Sequence, residues 1–279
     1  MKIAGIVLYN PSIEKLKMNI ESICFQVDKV VLIDNCSSNR HDIYDMVSLF
    51  NNVEIIDNNS NKGIAKALNQ IAEYAINNGA EWVLTLDQDS VCAQDLIECY
   101  EQYTLLPNVA SITCRINDRN INLEKKVMNL VEYVDNCITS ANYIKLSVWN
   151  QLGGFDERLF IDRVDTDYSF RLIHQHYKIL KIPKSGILHE IGCDSKEYNF
   201  LGKHFIVYNH SAFRCYYIIR NQIYFARKHR EILGNIKSLR FQRTAWTRIF
   251  VILVFETDKV SKLVAWFKGI RDGYLMNFE

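Results

Sequence analysis

A chain of 279 residues with 33 basic and 32 acidic side chains carries a formal net charge of +1. That length can bury a sizeable core without staples, and the charge balance gives no sign of a nucleic-acid binder, which would normally be clearly basic. Eight cysteines without a Cys-x-x-Cys pair argue against a zinc site or a disulfide framework and read as small apolar core residues in a reducing cytosol.

The N-terminus runs directly into the apolar stretch Ile3-Ala4-Gly5-Ile6-Val7, with no signal-peptide pattern. No uninterrupted apolar run is long enough to span a bilayer. Lys2 to Tyr9 reads as a strand, ending at Asn10-Pro11-Ser12. Ile13, Leu16, Ile20 and Ile23 then recur at helical spacing, behind Pro and Ser residues suited to a helix start. Val30 to Asp34 is a second buried strand, Asn35 to Asn39 a polar turn, and Ile43, Met46, Val47 and Phe50 a second helical face. Val53 to Asp57 is a third strand. A polar loop from Asn58 to Gly63 leads to a helix lined by Ile64, Leu68, Ile71 and Ala75. Trp82 to Leu86 is a fourth strand running into Asp87-Gln88-Asp89-Ser90, and Val109 to Cys114 a fifth.

This βα alternation predicts an α/β fold with a mostly parallel central sheet flanked by helices. Ligands in such sheets bind at the carboxyl ends of the strands, which here carry Tyr9-Asn10, Asp34-Asn35, Asp57-Asn58 and Asp87 with Asp89. Asp87 and Asp89 point the same way if the chain is extended. Two like charges there call for a cation or donors between them, and a hard divalent metal carrying a phosphate suits them. A strand ending in an ordinary polar turn accounts for the pair equally well. No Gly-x-Gly-x-x-Gly follows the first strand, which disfavours a dinucleotide-binding domain.

Arg115 to Asn136 reads as an exposed connection. Ile138-Thr139-Ser140 resumes as a strand, and Leu146 to Leu152 is a short helix stopped by Gly153-Gly154. Asp162, Asp165 and Asp167 form a second acidic cluster leading into a helix with Val164, Tyr168 and Leu172 on its apolar face. Acids in a first helical turn are stabilising in themselves, but three in six residues exceed what a cap requires. Lys178 to Ile182 and Gly186 to His189 read as short strands. His189, ordinarily just a polar strand end, would complete an oxygen and nitrogen site for Mg²⁺ or Mn²⁺ with Asp87 and Asp89. From about Phe205 the chain becomes helical and dense in aromatic and basic residues, a mixture that packs against a core or lies on an anionic membrane surface.

The residues Val7-Leu8-Tyr9-Asn10-Pro11, Val31 to Ser37, Asn59 to Asn69, Leu84 to Ser90, Gly153 to Glu157, the Asp162/Asp165/Asp167 cluster and Tyr217 to Arg227 resemble, in order and spacing, glycosyltransferase family 2. These are inverting nucleotide-sugar glycosyltransferases of GT-A fold. The Asp-Gln-Asp-Ser form and the Arg220-Asn221 pair look most like the bacterial rhamnosyltransferase branch. The resemblance implies a catalytic domain over residues 1–204, with a nucleotide-sugar half at 1–114 and an acceptor half at 137–204. Residues 205–279 would form a helical region for acceptor and membrane contact.

It implies dTDP-L-rhamnose as donor and a glycan or lipid-linked glycan as acceptor, in surface-polysaccharide assembly such as that of O-antigen. The enzyme would be cytoplasmic, with peripheral contact at the inner face of the cytoplasmic membrane. Tyr9, Asn10, Asp34, Asn35, Asn61, Lys62, Gly63, Asp87 and Gln88 are the implied nucleotide-binding residues. Asp87, Asp89 and His189 would hold Mg²⁺ or Mn²⁺, and Gly154, Phe155, Arg220 and Asn221 would serve the acceptor side. Asp165 is the first choice of base, then Asp167, then Asp162, because Asp165 takes the place of the Asp in the family's Glu-Asp pair; the chain departs from that pair in having Val164 where the family often has Glu. The alternatives are a UDP-hexose donor on the same fold, or a haloacid-dehalogenase-like phosphotransferase with Asp87 as nucleophile.

Overall fold

The structure, a computed structural model, describes residues 1–118, 130–189, 196–200 and 203–278. The chain forms two compact units, one of Met1–Phe160 with Val164–Ile191 and one of Ile161–Arg163 with Gly192–Glu279.

The first unit opens with the alternation the sequence predicts. Its elements are β1 (Ile3–Leu8), α1 (Ile13–Ile23), β2 (Lys29–Asp34), α2 (Arg40–Val47), β3 (Val53–Asp57), α3 (Ile64–Asn77) and β4 (Trp82–Asp87). Strand β1 is buried almost throughout, as an inner strand of an α/β sheet must be. Helix α1 buries Leu16, Ile20 and Ile23, the spacing of one helical face. There follow β5 (Val91–Cys92), α4 (Leu96–Glu101), β6 (Val109–Asp118), β7 (Glu132–Val134), β8 (Asn142–Lys145), α5 (Leu146–Gln151), α6 (Val164–His174) and β9 (Lys178–His189). Among the described residues the sheet runs β3-β2-β1-β4-β8-β6-β9-β5, with β7 also on β9. The block from β3 to β4 is parallel. Beyond it pairing is mixed, since β8 is antiparallel to both β4 and β6 while β6 and β9 are parallel.

Three local expectations change. Residues 115–118, expected in an exposed connection, continue β6 because they find partners on β9, and residues 132–134 form β7 on the same strand. The strand expected at Ile138 starts at Asn142, because Ala141 has φ 57° and breaks the extended run before it. The two short strands expected between Lys178 and His189 are one, with register irregularities around Arg115 of β6. Of the cysteines, Cys24, Cys92, Cys99, Cys114, Cys137 and Cys215 are buried and Cys36 is exposed, all as free thiols. Cys193 lies outside the described residues.

The second unit comprises the hairpin β10 (Lys196–Phe200) and β11 (Lys203–Val207), then α7 (Ala212–Lys228), α8 (Arg230–Phe255) and α9 (Lys259–Leu275). Helix α8 is interrupted at Gly234. Its core joins Cys215, Ile219 and Ile223 of α7 to Ala245, Ile252, Trp266 and Ile270. Gly269 and Gly273 let α9 lie close to α7, since a Cβ on Gly273 would sit 2.8 Å from the Arg220 carbonyl oxygen. Trp266 is structural: it is 3% exposed and its Nε1 donates to the Ala245 carbonyl. Lys262, also buried, donates to Glu256 Oε2 at 2.9 Å, and Arg248 reaches the other oxygen at 3.2 Å. No helix among the described residues is long and apolar enough to cross a membrane.

Candidate active site

Parallel pairing sets the predicted strand ends side by side. Leu8 is opposite Asp34, Asp34 opposite Asp57, and Val7 opposite Asp87. The loops above these ends are tied to one another. Tyr9 N–H donates to Gln88 Oε1 at 2.9 Å, linking the end of β1 to the turn after β4. Asn10, at φ 48°, accepts from the Ser38 amide at 2.7 Å and donates its own amide to Ser37 Oγ. Asp34 is only 1% exposed, and its carboxylate accepts from the Ser37 amide and hydroxyl and from Arg40. It thus shapes the Asn35–Ser37 loop, whose exposed tip is Cys36 at φ 67°. Asn35 Oδ1 accepts from Asn58 Nδ2, and Asn35 Nδ2 donates to the Gly63 carbonyl.

Asn61 Oδ1 accepts the Gly63 amide at 2.9 Å in a short local turn. Gly63 begins α3 at φ 84°, a conformation that favours glycine. A Cβ there would also meet the Phe160 carbonyl oxygen at 2.6 Å. Lys62 beside it is exposed.

Asp87 closes β4, whereas Asp89 lies in the following turn, closed by Ser90 N–H to the Asp87 carbonyl at 3.2 Å. The extended-chain argument therefore does not apply to the pair; the turn decides how they lie. That turn is held from behind, because Ser140 Oγ accepts the Asp87 amide and bonds Ser90 Oγ, and Asn19 Nδ2 donates to the Asp87 carbonyl. Val91 pairs with Leu188, so β9 brings the backbone of His189 next to this turn. The His189 side chain lies outside the described residues. Among those that are described, no cluster of three metal-ligating side chains forms.

The second acidic cluster separates. Asp167 is buried and paired with Arg171 at 2.8 Å, one helical turn on. Arg171 also donates to the carbonyls of Leu152 and Gly154 at 2.8 and 2.7 Å. Asn69 holds the same turn from the other side, donating to the Phe155 carbonyl and accepting its amide. Gly154 and Phe155 are thus the frame on which α6 is hung, with Phe155 2% exposed against the Tyr168 ring. Arg171 and Asn69 escaped the sequence reading. The four-residue spacing from Asp167 to Arg171 was the available signal for one of them.

Asp165 is half-buried in the first turn of α6, where Oδ1 accepts the Thr166 amide and hydroxyl. It lies near Cys137, whose thiol is pushed up to about 11 by burial, with the charge of Asp165 acting in the same direction. Cys137 lines a cavity of about 410 Å³ together with Thr113, Arg115, Glu132 and Lys181. A Lys181–Glu132 ion pair of 3.0 Å lies on its wall.

In the second unit, Asp162 is paired with Arg214 at 3.1 Å. Arg220 stacks over Tyr217, 4.5 Å from the ring centre, and donates to Asn221 Oδ1. Asn221 is fully buried, and its amide donates to the carbonyls of Ile161 at 2.7 Å and Asp162 at 3.0 Å.

The profile of glycosyl transferase family 2 matches residues 4–155. The chain belongs to this family. That decides against the phosphotransferase alternative and makes the protein a glycosyltransferase. Over 96% of its length the glycosyltransferase is 28% identical to the dTDP-rhamnosyl transferase RfbF of Shigella flexneri, covering 95% of that protein. Among solved structures it is similar to S. aureus TarS residues 1–349, with TM-score 0.58 and 15% identity, covering 97% of this chain and 81% of that one. TarS in complex with UDP-GlcNAc matches equally well at 16% identity, covering 97% and 82%. GalNAc-T7 with UDP, GalNAc and Mn²⁺ gives TM-score 0.58 and 16% identity, covering 88% of this chain and 54% of that one. These likenesses show a GT-A glycosyltransferase fold.

Proposed function

We propose that the glycosyltransferase transfers L-rhamnose from dTDP-β-L-rhamnose, with inversion, to a glycan or lipid-linked glycan acceptor of bacterial surface polysaccharide such as O-antigen. The observation that carries the donor is the end-to-end likeness to a dTDP-rhamnosyl transferase, supported by the ties among the loops at the ends of β1, β2 and β4. Tyr9, Asn10, Asn35, Asn61, Lys62 and Gly63 surround the nucleotide. Asp34 acts through the loop it holds.

Asp87 and Asp89, on a turn anchored by Ser140 and Asn19, would hold a divalent cation such as Mg²⁺ or Mn²⁺, with His189 of the adjoining strand end as third ligand. A bound cation offsets charge on the departing diphosphate.

An acceptor hydroxyl is a poor nucleophile at neutral pH and needs a base within hydrogen-bond reach. Asp165 takes that proton, and its Thr166 contacts fix the carboxylate. Asp167 and Asp162 are engaged by Arg171 and Arg214. The cavity beside Cys137 accommodates acceptor sugar.

The outer surface of α8 and α9 contacts the inner face of the cytoplasmic membrane. It exposes Leu239, Trp246 and Phe250 on α8 and Val264, Phe267 and Leu275 on α9. Lys237, Arg240, Arg243, Lys268 and Arg271 are exposed on the same helices, the mixture that suits an anionic headgroup layer.

The test is a donor screen following nucleotide release, with dTDP-rhamnose against UDP-hexoses. Release only from dTDP-rhamnose is expected. Asp165→Asn should lose about 10²–10⁴ in kcat with dTDP affinity unchanged. Preference for a UDP-hexose refutes the donor, and normal turnover in Asp165→Asn refutes the base.

A further inference from the structure

Helix α1 does more than bury its apolar residues. Asn19 and Ser22 on the helix and Gln26 just past its end, three and four residues apart, all hold backbone that follows β4. Asn19 Nδ2 donates to the Asp87 carbonyl at 2.7 Å. Ser22 Oγ accepts the Cys92 amide at 3.0 Å, and Gln26 Nε2 donates to the Ala93 carbonyl at 2.8 Å. Asn19 is fully buried, and its Oδ1 has no partner among the described residues. A buried acceptor left unpaired costs stability. The favourable contribution of this side chain therefore lies in its bond to Asp87.

Asp87 is held at its amide as well. Ser140 Oγ accepts that amide at 3.3 Å and shares a hydrogen bond of 2.6 Å with Ser90 Oγ, and both serines are fully buried. Ser140 is itself fixed through its two neighbours. Thr85 Oγ1 donates to the Thr139 carbonyl at 2.6 Å, and the Tyr100 hydroxyl donates to the carbonyl of Ala141, at φ 57°, at 2.7 Å. All of these residues lie in the first compact unit. Asp89 thus stands between two anchored residues, Asp87 and Ser90. Two carboxylates drawn toward one point repel each other until a cation arrives. Without anchors the turn would open to part them, and cation binding would have to close it again. An anchored turn is already shaped, so binding carries less ordering cost.

We propose that Asn19 and Ser140 are positioning residues for the divalent cation: they keep the Asp87–Ser90 turn closed before the cation binds. They thereby set its affinity and leave the rate of the chemical step to other groups. The role rests on the reading of Asp87 and Asp89 as cation ligands.

The experiment uses the full chain with dTDP present and follows free Mn²⁺ by electron paramagnetic resonance during titration. Beside it, turnover of dTDP-L-rhamnose with a bacterial glycolipid extract is measured at rising Mn²⁺. Asn19→Leu keeps the branching at Cγ and removes both polar atoms, and Ser140→Ala removes one hydroxyl. Each should weaken Mn²⁺ binding about 3- to 10-fold, the range of one hydrogen bond. The Mn²⁺ needed for half-maximal turnover should rise by the same factor, while kcat at saturating Mn²⁺ stays within about threefold of wild type. A merely structural role would lower Tm and leave the Mn²⁺ affinity of the folded protein unchanged. Mn²⁺ affinity within about twofold of wild type in both variants overturns the proposal. So does a loss of kcat that excess Mn²⁺ does not restore. Wild-type protein that binds no Mn²⁺ is a different failure, and removes the cation on which the role depends. Should Ser140→Ala not fold, Asn19→Leu carries the test: weakened Mn²⁺ binding with kcat restored by excess metal supports the role, and unchanged binding overturns it.

Discussion

Replacing Arg171 by Met should destabilise the enzyme far more than a surface change. Arg171 donates to Asp167 Oδ2 at 2.8 Å and to the Leu152 and Gly154 carbonyls at 2.8 and 2.7 Å. The Asp167 side chain is 1% exposed and that of Arg171 17%, so water screens the pair little. Methionine keeps much of the aliphatic bulk but strips a buried carboxylate of its guanidinium, a loss typically of about 3–5 kcal/mol. Domains have about 5–15 kcal/mol in all. At about 2–4 °C per kcal/mol for a unit of this size, Tm should fall by roughly 10 °C. Asp167→Asn combined with Arg171→Met removes the carboxylate charge that has lost its guanidinium and should recover about 2 kcal/mol of the loss. The assay is urea unfolding followed by circular dichroism, on wild type, both single variants and the double. A loss below about 1 kcal/mol for Arg171→Met, or a double variant no more stable than Arg171→Met, would refute the reasoning. Asp167→Asn alone should keep kcat within a few-fold of wild type, since the residue braces the Gly153-Gly154 turn.

Native alkylation should modify Cys36 and spare the buried thiols, of which Cys92 is pushed up to about 12 and Cys114 and Cys137 to about 11 by burial. The raised values keep these groups protonated and unreactive at neutral pH. Added dTDP and Mg²⁺ should slow the Cys36 reaction several-fold, and an unaffected rate would remove the Asn35–Ser37 loop from the nucleotide site. In vesicle flotation at physiological salt the protein should bind membranes containing phosphatidylglycerol and not phosphatidylcholine alone. Phe250→Ser with Phe267→Ser should weaken that binding at least tenfold, each buried Phe being worth about 1.5–3 kcal/mol at most. Absence of binding to either membrane would leave the α8–α9 surface without a lipid role.

Much of the fold was legible because burial writes itself into apolar runs. Val30 to Asp34 and Trp82 to Asp87 announce inner strands, and a parallel block then fixes which strand ends are neighbours. Partners far away in sequence were not legible. Ser140 braces the Asp87–Ser90 turn from some fifty residues on, and nothing local marks it. Arg115 to Asp118 look like loop because their polar side chains hide strand character that only pairing with β9 supplies. The family resemblance gives Asp34 a nucleotide contact, which its sequence neighbours neither support nor oppose. Its burial and its Ser37 and Arg40 partners depend on how the loop folds back.

The two acidic motifs have the same Asp-x-Asp spacing, yet the backbone gives them opposite consequences. A helix turns about 100° per residue, so residues two apart face directions about 200° apart. With Asp167 committed inward to Arg171, Asp165 is forced toward the other side of α6, away from that ion pair. One acid of the pair can brace the fold only if the other is turned away from it. At the end of β4 the chain leaves the strand after Asp87, and Asp89 is placed by a tight turn pinned at Ser90 and Ser140. A turn can bring two carboxylates onto one cation where a helix would separate them. The spacing alone therefore assigns neither role. What differs is the local backbone: the chain enters α6 at Val164, whereas after Asp87 it enters a turn held by Ser140.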